Sequence, residues 1–429
     1  MKCIENEIPF EVPEGWAWCR LKHVCTMAAG KAKPTDQIMT EPFEGCYPCF
    51  GGNGIRGYVD EYNQDGIFSI VGRQGALCGN INIAKGKFYA TEHAVVTTLF
   101  SGIDFNWSNY VLEALQLNSY ATGAAQPGLS VANVLNVFVP VPPTQEQVHI
   151  GIRIAESIKI IENIEDEKEN LQTLISSAKS KILDLAIRGK LVSQNPNDEP
   201  ASVLLERIRA EKEELIKQGK IKRDKKESII FKGEDNSYYL KTGDITEPLE
   251  DWELDGLPDS WSFCCLGEIC DYGNCINVAT VDIDDSAWIL DLEDIEKDTG
   301  IVLQKVRKAK RNSISTKHLF HKGQVLYSKL RPYLNKVVLA DEDGYCTSEI
   351  LPLDFQENII PQYARYYLMS PTFLQYTNKC SYGVKMPRLG TVDGKKTIIT
   401  LPPLAEQKRI VKAIETIFAQ LDEISNAIA

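Results

Sequence analysis

The fold is decided by a stretch near the start, Pro13-Glu14-Gly15-Trp16-Ala17-Trp18-Cys19-Arg20-Leu21 with Cys25 behind it, because the chain writes it twice. The second copy is Pro258-Asp259-Ser260-Trp261-Ser262-Phe263-Cys264-Cys265-Leu266, followed by Cys270, at a constant offset of 245 residues. A closing pair follows the same logic. Pro127-x-Leu129 leads to Val139-Pro140-Val141-Pro142-Pro143-Thr144-Gln145-Glu146-Gln147, and Pro387-x-Leu389 leads to Ile399-Thr400-Leu401-Pro402-Pro403-Leu404-Ala405-Glu406-Gln407, 260 residues on. Gly123 and Gly383 share that second offset. An internal repeat outranks every other sequence signal. Two homologous modules are implied, each closing on a Pro-Pro stop and a helix entry.

Within each module, short runs of Val, Ile, Phe and Tyr alternate with Gly and Asn turns such as Gly51-Gly52-Asn53-Gly54 and Gly72-Arg73-Gln74-Gly75, which reads as strands and tight turns. One helix is expected near each module's end, over 107–116 and 360–376, so the modules are mixed α/β. After Pro402-Pro403, apolar residues fall at Ile410, Ile414, Ile417, Leu421, Ile424 and Ile428, a heptad seam that packs lengthwise against another helix. A matching stripe runs through Ile150, Ile154, Ile161, Ile164, Leu171, Ile175, Ala178, Ile182 and Leu185 until Gly189 ends it. The two stripes are expected to pair antiparallel, beginning at Ile150. A helix from Ala201 to about Gly219 leads into a charged, linker-like run, Lys220–Lys226. The fold class is therefore α+β: two similar α/β modules held by long antiparallel coiled-coil helices in a pseudo-twofold repeat. Its divisions are 1–143, the helical spacer and linker 144–245, 246–403, and the distal helix 404–429.

Composition bounds the function. The chain has 429 residues, 43% hydrophobic and 25% charged, as a soluble multidomain protein would. No apolar run reaches a membrane span and Met1–Phe10 lacks a signal-peptide core, so a cytoplasmic location is expected and the 12 cysteines read as reduced thiols. The net charge of −12 hides a local exception. Between Ile301 and Ala340 stand ten Lys/Arg and no acid, directly after the acidic stretch Asp282–Asp298. A local basic surface suffices to engage phosphates whatever the overall sum.

Tempting catalytic motifs fail on context. Phe50-Gly51-Gly52-Asn53-Gly54 imitates a methyltransferase glycine motif, but Ile55-Arg56-Gly57-Tyr58 continues it as turn and strand where a helix is required. Cys46-x-x-Cys49 has no second pair to complete a tetrahedral zinc site, and His318-x-x-His321 lies in basic sequence without carboxylates. There is no phosphate-binding GxxxxGK[ST] loop. No catalytic residue, metal or cofactor is assigned.

With both repeats and the helix entries in place, the chain resembles the specificity subunits of type I restriction-modification enzymes over essentially its whole length. Leu401–Ile410, Ile182–Leu191 running on to Asp198–Arg207, and Leu330–Lys336 carry the resemblance most clearly. The resemblance implies two target-recognition domains, each reading half of a bipartite double-stranded DNA site. It also implies helices that dock two methylase subunits, with motor-nuclease (restriction) subunits joining. S-adenosylmethionine, ATP and Mg would then be held by the partners. Pro142, Glu146, Gln147, Ile154, Pro402, Glu406, Gln407, Ile414 and Leu421 are the expected helix-docking residues.

Candidate DNA contacts follow from residue type, since Arg reads guanine, Asn and Gln read adenine, and Lys mostly meets phosphate. In the first module these are Lys31, Lys33, Asn53, Arg56, Arg73, Gln74, Lys85 and Gln126. In the second they are Lys305, Arg307, Lys308, Lys310, Arg311, Lys329, Arg331, Tyr333 and Lys385. Two readings compete: the recognition component of a type II or phage-defence system, and a coiled-coil scaffold whose modules bind protein.

Overall fold

A computed structural model describes residues 8–75, 77–123, 127–220, 227–235, 237–249, 256–311, 314–355 and 359–428. The chain forms two compact units, Met1–Glu167 and Lys168–Ala429.

Unit 1 opens with β1 (Ala17–Arg20) and β2 (Cys25–Ala29), then the hairpin β3 (Tyr47–Gly51) and β4 (Gly54–Val59). Three longer strands follow, β5 (Gln64–Gly72), β6 (Ile81–Ala90) and β7 (Ala94–Leu99). Strands β2 to β7 make one six-stranded sheet in the order β2-β7-β5-β6-β3-β4. The glycine motif at Phe50 is thus a hairpin turn, with Gly54 at φ +91°. Phe50, Ile70, Ala84, Phe88 and Val96 pack on one another along the sheet. Helix α1 (Phe105–Ala114) is capped by Asp104, whose carboxylate accepts from Trp107 N at 2.9 Å, a side chain doing what the missing preceding turn cannot. After the short α2 (Val131–Val134), β8 (Phe138–Val141) pairs antiparallel with β1, so the two ends of the module close on each other. Trp107 and Leu112 then bury against Leu21, Leu129 and Val139.

Helix α3 spans Thr144–Ile187, 44 residues. It ends where Gly189 takes φ +67° and Lys190 N reaches back to Leu185 O at 2.9 Å, a glycine C-cap.

Unit 2 holds the last part of α3, then α4 (Ala201–Lys217) and a three-stranded antiparallel sheet: β9 (Ser228–Lys232), β10 (Tyr238–Thr242) and β11 (Ile245–Pro248). That sheet begins within the stretch read from sequence as spacer and linker, 144–245, and runs past its end to Pro248; Ile230 and Tyr238 pack on Phe263. Lys220 is described, but 221–226 of the charged run lie outside the described residues. Next come β12 (Ser262–Cys265), α5 (Leu266–Ile269), β13 (Asn277–Val278), β14 (Trp288–Leu290) and β15 (Val306–Arg307). The strands β16 (Lys317–Phe320), β17 (Val325–Ser328), β18 (Val337–Leu339), β19 (Gly344–Thr347) and β20 (Ile350–Leu353) complete two sheets, ordered β13-β16-β19-β14-β15 and β18-β17-β20. Trp288, Phe320, Leu326 and Ile350 fill the space between them.

The helix expected over 360–376 is two helices, α6 (Pro361–Leu368) and α7 (Pro371–Cys380). Pro371 has no N–H to continue the ladder, and Ser370 Oγ caps the new start by accepting from Phe373 N at 3.3 Å. The short α8 (Thr391–Lys396) leads to β21 (Ile398–Leu401), which pairs with β12 as β8 pairs with β1. Helix α9 (Leu404–Ala427) closes the chain.

The antiparallel helix pair is present, with a different register from the one expected. Ile187 O accepts from Thr400 Oγ1 at 2.6 Å, while eight residues back along α3 Lys179 stacks on Phe418 at 5.3 Å and pairs with Asp422. Ile410 and Ile414 are fully buried with Leu183, Ala186 and Ile187. The seam therefore starts near Ile175. Ile150 instead packs into the core of unit 1, and Ile158, Ile160, Ile161 and Ile164 stay exposed.

Candidate nucleic-acid interface

Both units build the same two-loop platform. In unit 1 the strand β5 runs into a loop whose residues 73–75 and 77–79 are described, and Arg73–Gly75 lies against Thr122 and Pro127–Leu129. Gly75 N donates to Pro127 O (3.1 Å), Leu129 N to Arg73 O (2.9 Å), and Gly72 N to Asn80 O (2.9 Å). In unit 2 the strand β17 runs into Lys329–Asn335, which lies against Tyr382–Leu389. Arg331 N donates to Pro387 O (2.7 Å), Leu389 N to Lys329 O (3.0 Å), and Ser328 N to Lys336 O (3.1 Å). The bridges Gln74↔Gly128 and Thr122↔Gly128 have counterparts in Leu330↔Arg388 and Tyr382↔Arg388. Left-handed backbone recurs at matching places: Gly75 and Arg331 (φ +95° and +50°), Gly79 and Asn335 (+91° and +49°), Gly123 and Gly383 (+97° and +98°).

These hydrogen bonds equate Arg73 with Lys329, Gln74 with Leu330 and Gly75 with Arg331. Sequence reading found the second loop of each platform through its shared Gly and Pro. It found residues of the first loop by type, but not their equivalence, because the two loops share no residue at corresponding positions from 72 to 75.

In unit 1 the platform gathers several candidates. Arg73 and Gln74 are exposed on the loop, and an open cleft of ≈ 540 Å³ beside it is lined by Asn53, Arg56, Gln74 and His93, among others. Asn53 accepts from Asn80 Nδ2 (3.0 Å) and Arg56 donates to Thr35 Oγ1 (2.9 Å), so both are held in place at its rim. His93 was not singled out from sequence; nothing in its spacing marks it. Lys31 and Lys85 are exposed away from the cleft lining. Lys33 is engaged internally: it pairs with Glu61 at 2.8 Å and faces the Tyr89 ring at 5.4 Å, and the Glu61 hydrogen bond holds its ammonium protonated above the usual range. Gln126 lies outside the described residues.

In unit 2 much of the basic run is neutralised within the fold. Lys305 pairs with Asp341 at 2.6 Å, Arg307 with Glu342 at 2.7 Å and Lys308 with Asp285 at 2.9 Å. Arg311 is enclosed by Glu293 (2.7 Å), Asp291 (3.3 Å) and the fully buried Asp294. The hydrogen bond from Lys305 holds the Asp341 carboxyl below the usual carboxylate range. The acidic stretch upstream supplies several of these counter-ions. Lys310 is exposed, and Lys329, Arg331, Tyr333 and Lys385 lie on the platform, with Tyr333 and Lys385 exposed.

Most of the helix-docking candidates turn inward. Gln147 is buried, accepting from Asp104 N (2.8 Å) and donating to Pro142 O (2.9 Å). Gln407 repeats this with Ile360 N (2.9 Å) and Pro402 O (3.1 Å). Glu406, also buried, accepts from Trp261 Nε1 (3.1 Å) and Gln194 Nε2 (2.7 Å), and burial pushes its carboxyl up despite those donors. With Ile414 buried too, these residues fasten each helix to its own module. Glu146, Ile154 and Leu421 are half-buried.

Comparison with known proteins agrees with the repeat. The family described as "Type I restriction modification DNA specificity domain" matches twice, over residues 13–173 and 258–429. Over 132 residues the chain is 46% identical to the type I restriction enzyme EcoprrI specificity subunit of Escherichia coli, a match spanning 30% of this chain and 33% of that one. The EcoDI specificity subunit of the same species is 21% identical over 428 residues, 98% of this chain and 86% of its own. A chain solved in a study of type I R-M complex assembly shares the fold with a TM-score of 0.56 at 16% identity, covering 98% of this chain and 94% of its own. The HsdS subunit from Thermoanaerobacter tengcongensis gives 0.50 at 15%, covering 98% and 93%. Two family domains in tandem, each closing on its own helix and carrying the same loop platform, place this chain in the type I restriction-modification DNA-specificity family.

Proposed function

We propose that the chain is the non-catalytic subunit that gives a type I restriction-modification complex its DNA sequence. Each unit reads one half of a bipartite double-stranded site through its loop platform. Two methylase subunits dock on the helices, motor-nuclease (restriction) subunits join them, and S-adenosylmethionine, ATP and Mg are bound by those partners. The observation that carries this reading is the duplication of the platform, because two equivalent readers on one chain suit a site with two halves. The exposed isoleucines Ile158, Ile160, Ile161 and Ile164 on α3 offer apolar surface of the kind a partner helix covers. Among the described residues no helix is long and apolar enough to cross a membrane, which fits a cytoplasmic complex.

The test is to express the chain with its cognate methylase in a host lacking other adenine methylation, and to map methylated adenines. A single bipartite motif that disappears when the chain is omitted is expected. Methylation independent of the chain, or none at all, would sink the proposal.

A further inference from the structure

The second loop of the unit 2 platform carries a tip that the fold does not use. Tyr382 N donates to Arg388 O (3.1 Å) and Arg388 N to Tyr382 O (2.9 Å), which closes 382–388 into a narrow stalk. Gly383 turns its start at φ +98°, a conformation that favours glycine. The stalk is braced from two sides. Pro387 O accepts from Arg331 N at 2.7 Å, and the Arg388 guanidinium donates to both Glu349 carboxylate oxygens, from Nη2 at 2.9 Å and from Nε at 3.1 Å. A bidentate pair of this kind fixes geometry as well as charge.

What the brace holds out is apolar. Val384 is fully exposed, Tyr382 and Met386 beside it are exposed, and so is Tyr333 on the facing loop. One exposed apolar side chain is ordinary, but four on two loops joined by hydrogen bonds form a patch. The surroundings of the patch are cationic. Lys329 and Lys385 flank it, and neither 329–336 nor 379–392 contains an Asp or Glu. Glu349, against the stalk, is paired with Arg388. An apolar tip within a cationic rim is the complement of duplex DNA, where apolar base faces lie within a rim of phosphates.

We infer that the tip 384–386 is a wedge, inserted between two stacked base pairs of the second half-site while Lys329 and Lys385 meet the flanking phosphates. The inference rests on the DNA-reading function proposed above. Apolar wedges part a base step and kink the duplex. Insertion needs a stiff stalk and apolar bulk, and no pattern of donors and acceptors, so the wedge does not choose the bases that are read. At the 260 offset, unit 1 has Ala124, Ala125 and Gln126 in these places, without the apolar length of Val and Met. Those three lie outside the described residues.

The experiment uses the full chain in its methylase complex, on duplexes carrying the mapped motif. Energy transfer between end labels reports the bend. The base analogue 2-aminopurine, which brightens when unstacked, is walked through both half-sites, leaving out the methylated adenines that the methylase must itself extrude. A bend of roughly 20–90° is expected, with one bright step in the second half-site. Val384→Ser combined with Met386→Ser abolishes both signals. It keeps the methylated motif and the wild-type melting temperature, because neither side chain is packed into the fold. Met386→Leu retains the bend, and Lys385→Ala retains it while lowering the slope of log affinity against log salt by about one. A straight wild-type duplex, a bend that survives the double substitution, or a changed motif would each overturn the wedge. So would loss of the methylase from the variant complex, which would make the tip a protein contact. A wild-type complex without any bipartite motif would refute the proposed function, and the wedge with it.

Discussion

Truncating Ile414 to Ala should unsettle unit 2 and leave unit 1 alone. Ile414 is fully buried where α9 meets the end of α3, among Leu183, Ala186 and Ile187. Deleting a buried Ile side chain to Ala removes its transfer free energy and leaves a cavity, about 2–5 kcal/mol in a site that cannot collapse. The site is clamped on both sides, by Thr400 to Ile187 and by Lys179 to Phe418 and Asp422, which leaves little room to relax. For a unit of this size that is a fall of roughly 4–20 °C in its melting temperature. The same truncation should fade along the helix. Leu421 is half-buried and should lose about 1 kcal/mol, while Ile424, 46% exposed, should stay within about 0.5 kcal/mol. Calorimetry of the full chain gives the temperatures, and hydrogen exchange on peptides from 404–427 and from 81–99 assigns each transition to its unit. Equal losses at all three positions would mean that α9 is covered along its whole length by something else. A parallel fall in unit 1 would mean that the two units do not unfold separately.

Exchanging residues 1–140 for the corresponding part of another family member should change one half of the methylated motif and leave the other intact. A change in both halves, seen by methylome mapping, would show that the units do not read independently. DNA binding should weaken steeply with salt, because phosphate contacts release counterions; titrations giving a flat log–log slope would contradict a phosphate-binding platform. Burial raises the Glu406 carboxyl, so its contribution to stability is full below the unfolded value near 4.3 and is lost as pH rises through the folded one. Melting temperatures of wild type and Glu406→Gln should therefore favour wild type more at pH 4 than at pH 7, and a difference that is constant or reversed would refute the buried-carboxylate reading.

What the sequence discloses here is what repeats or has a local period. Trp16 and Trp261, the Pro-Pro stops, and the seven-residue step from Ile410 onward each follow from neighbours in the chain, and each marks its element. Register between distant elements is a different matter. Ile150 and Ile182 look alike in a stripe, yet one is claimed by the core of unit 1 and the other lies beside α9, a choice made by tertiary packing alone. Charge suffers most from this blindness. The basic run 301–340 reads as a DNA surface only while its counter-ions are unknown. Asp341, Glu342, Asp285 and Asp294 fold back onto it, and the cations left for phosphate are fewer than the count suggests. The platform shows the same limit from the other side. Its equivalence between units is carried by backbone hydrogen bonds at an offset of 256, between flanks related at 245 and 260, so aligned letters pass over it. Along this loop the modules match in backbone and differ in side chain. That is what a scaffold needs if it is to change the sequence it reads without changing its fold.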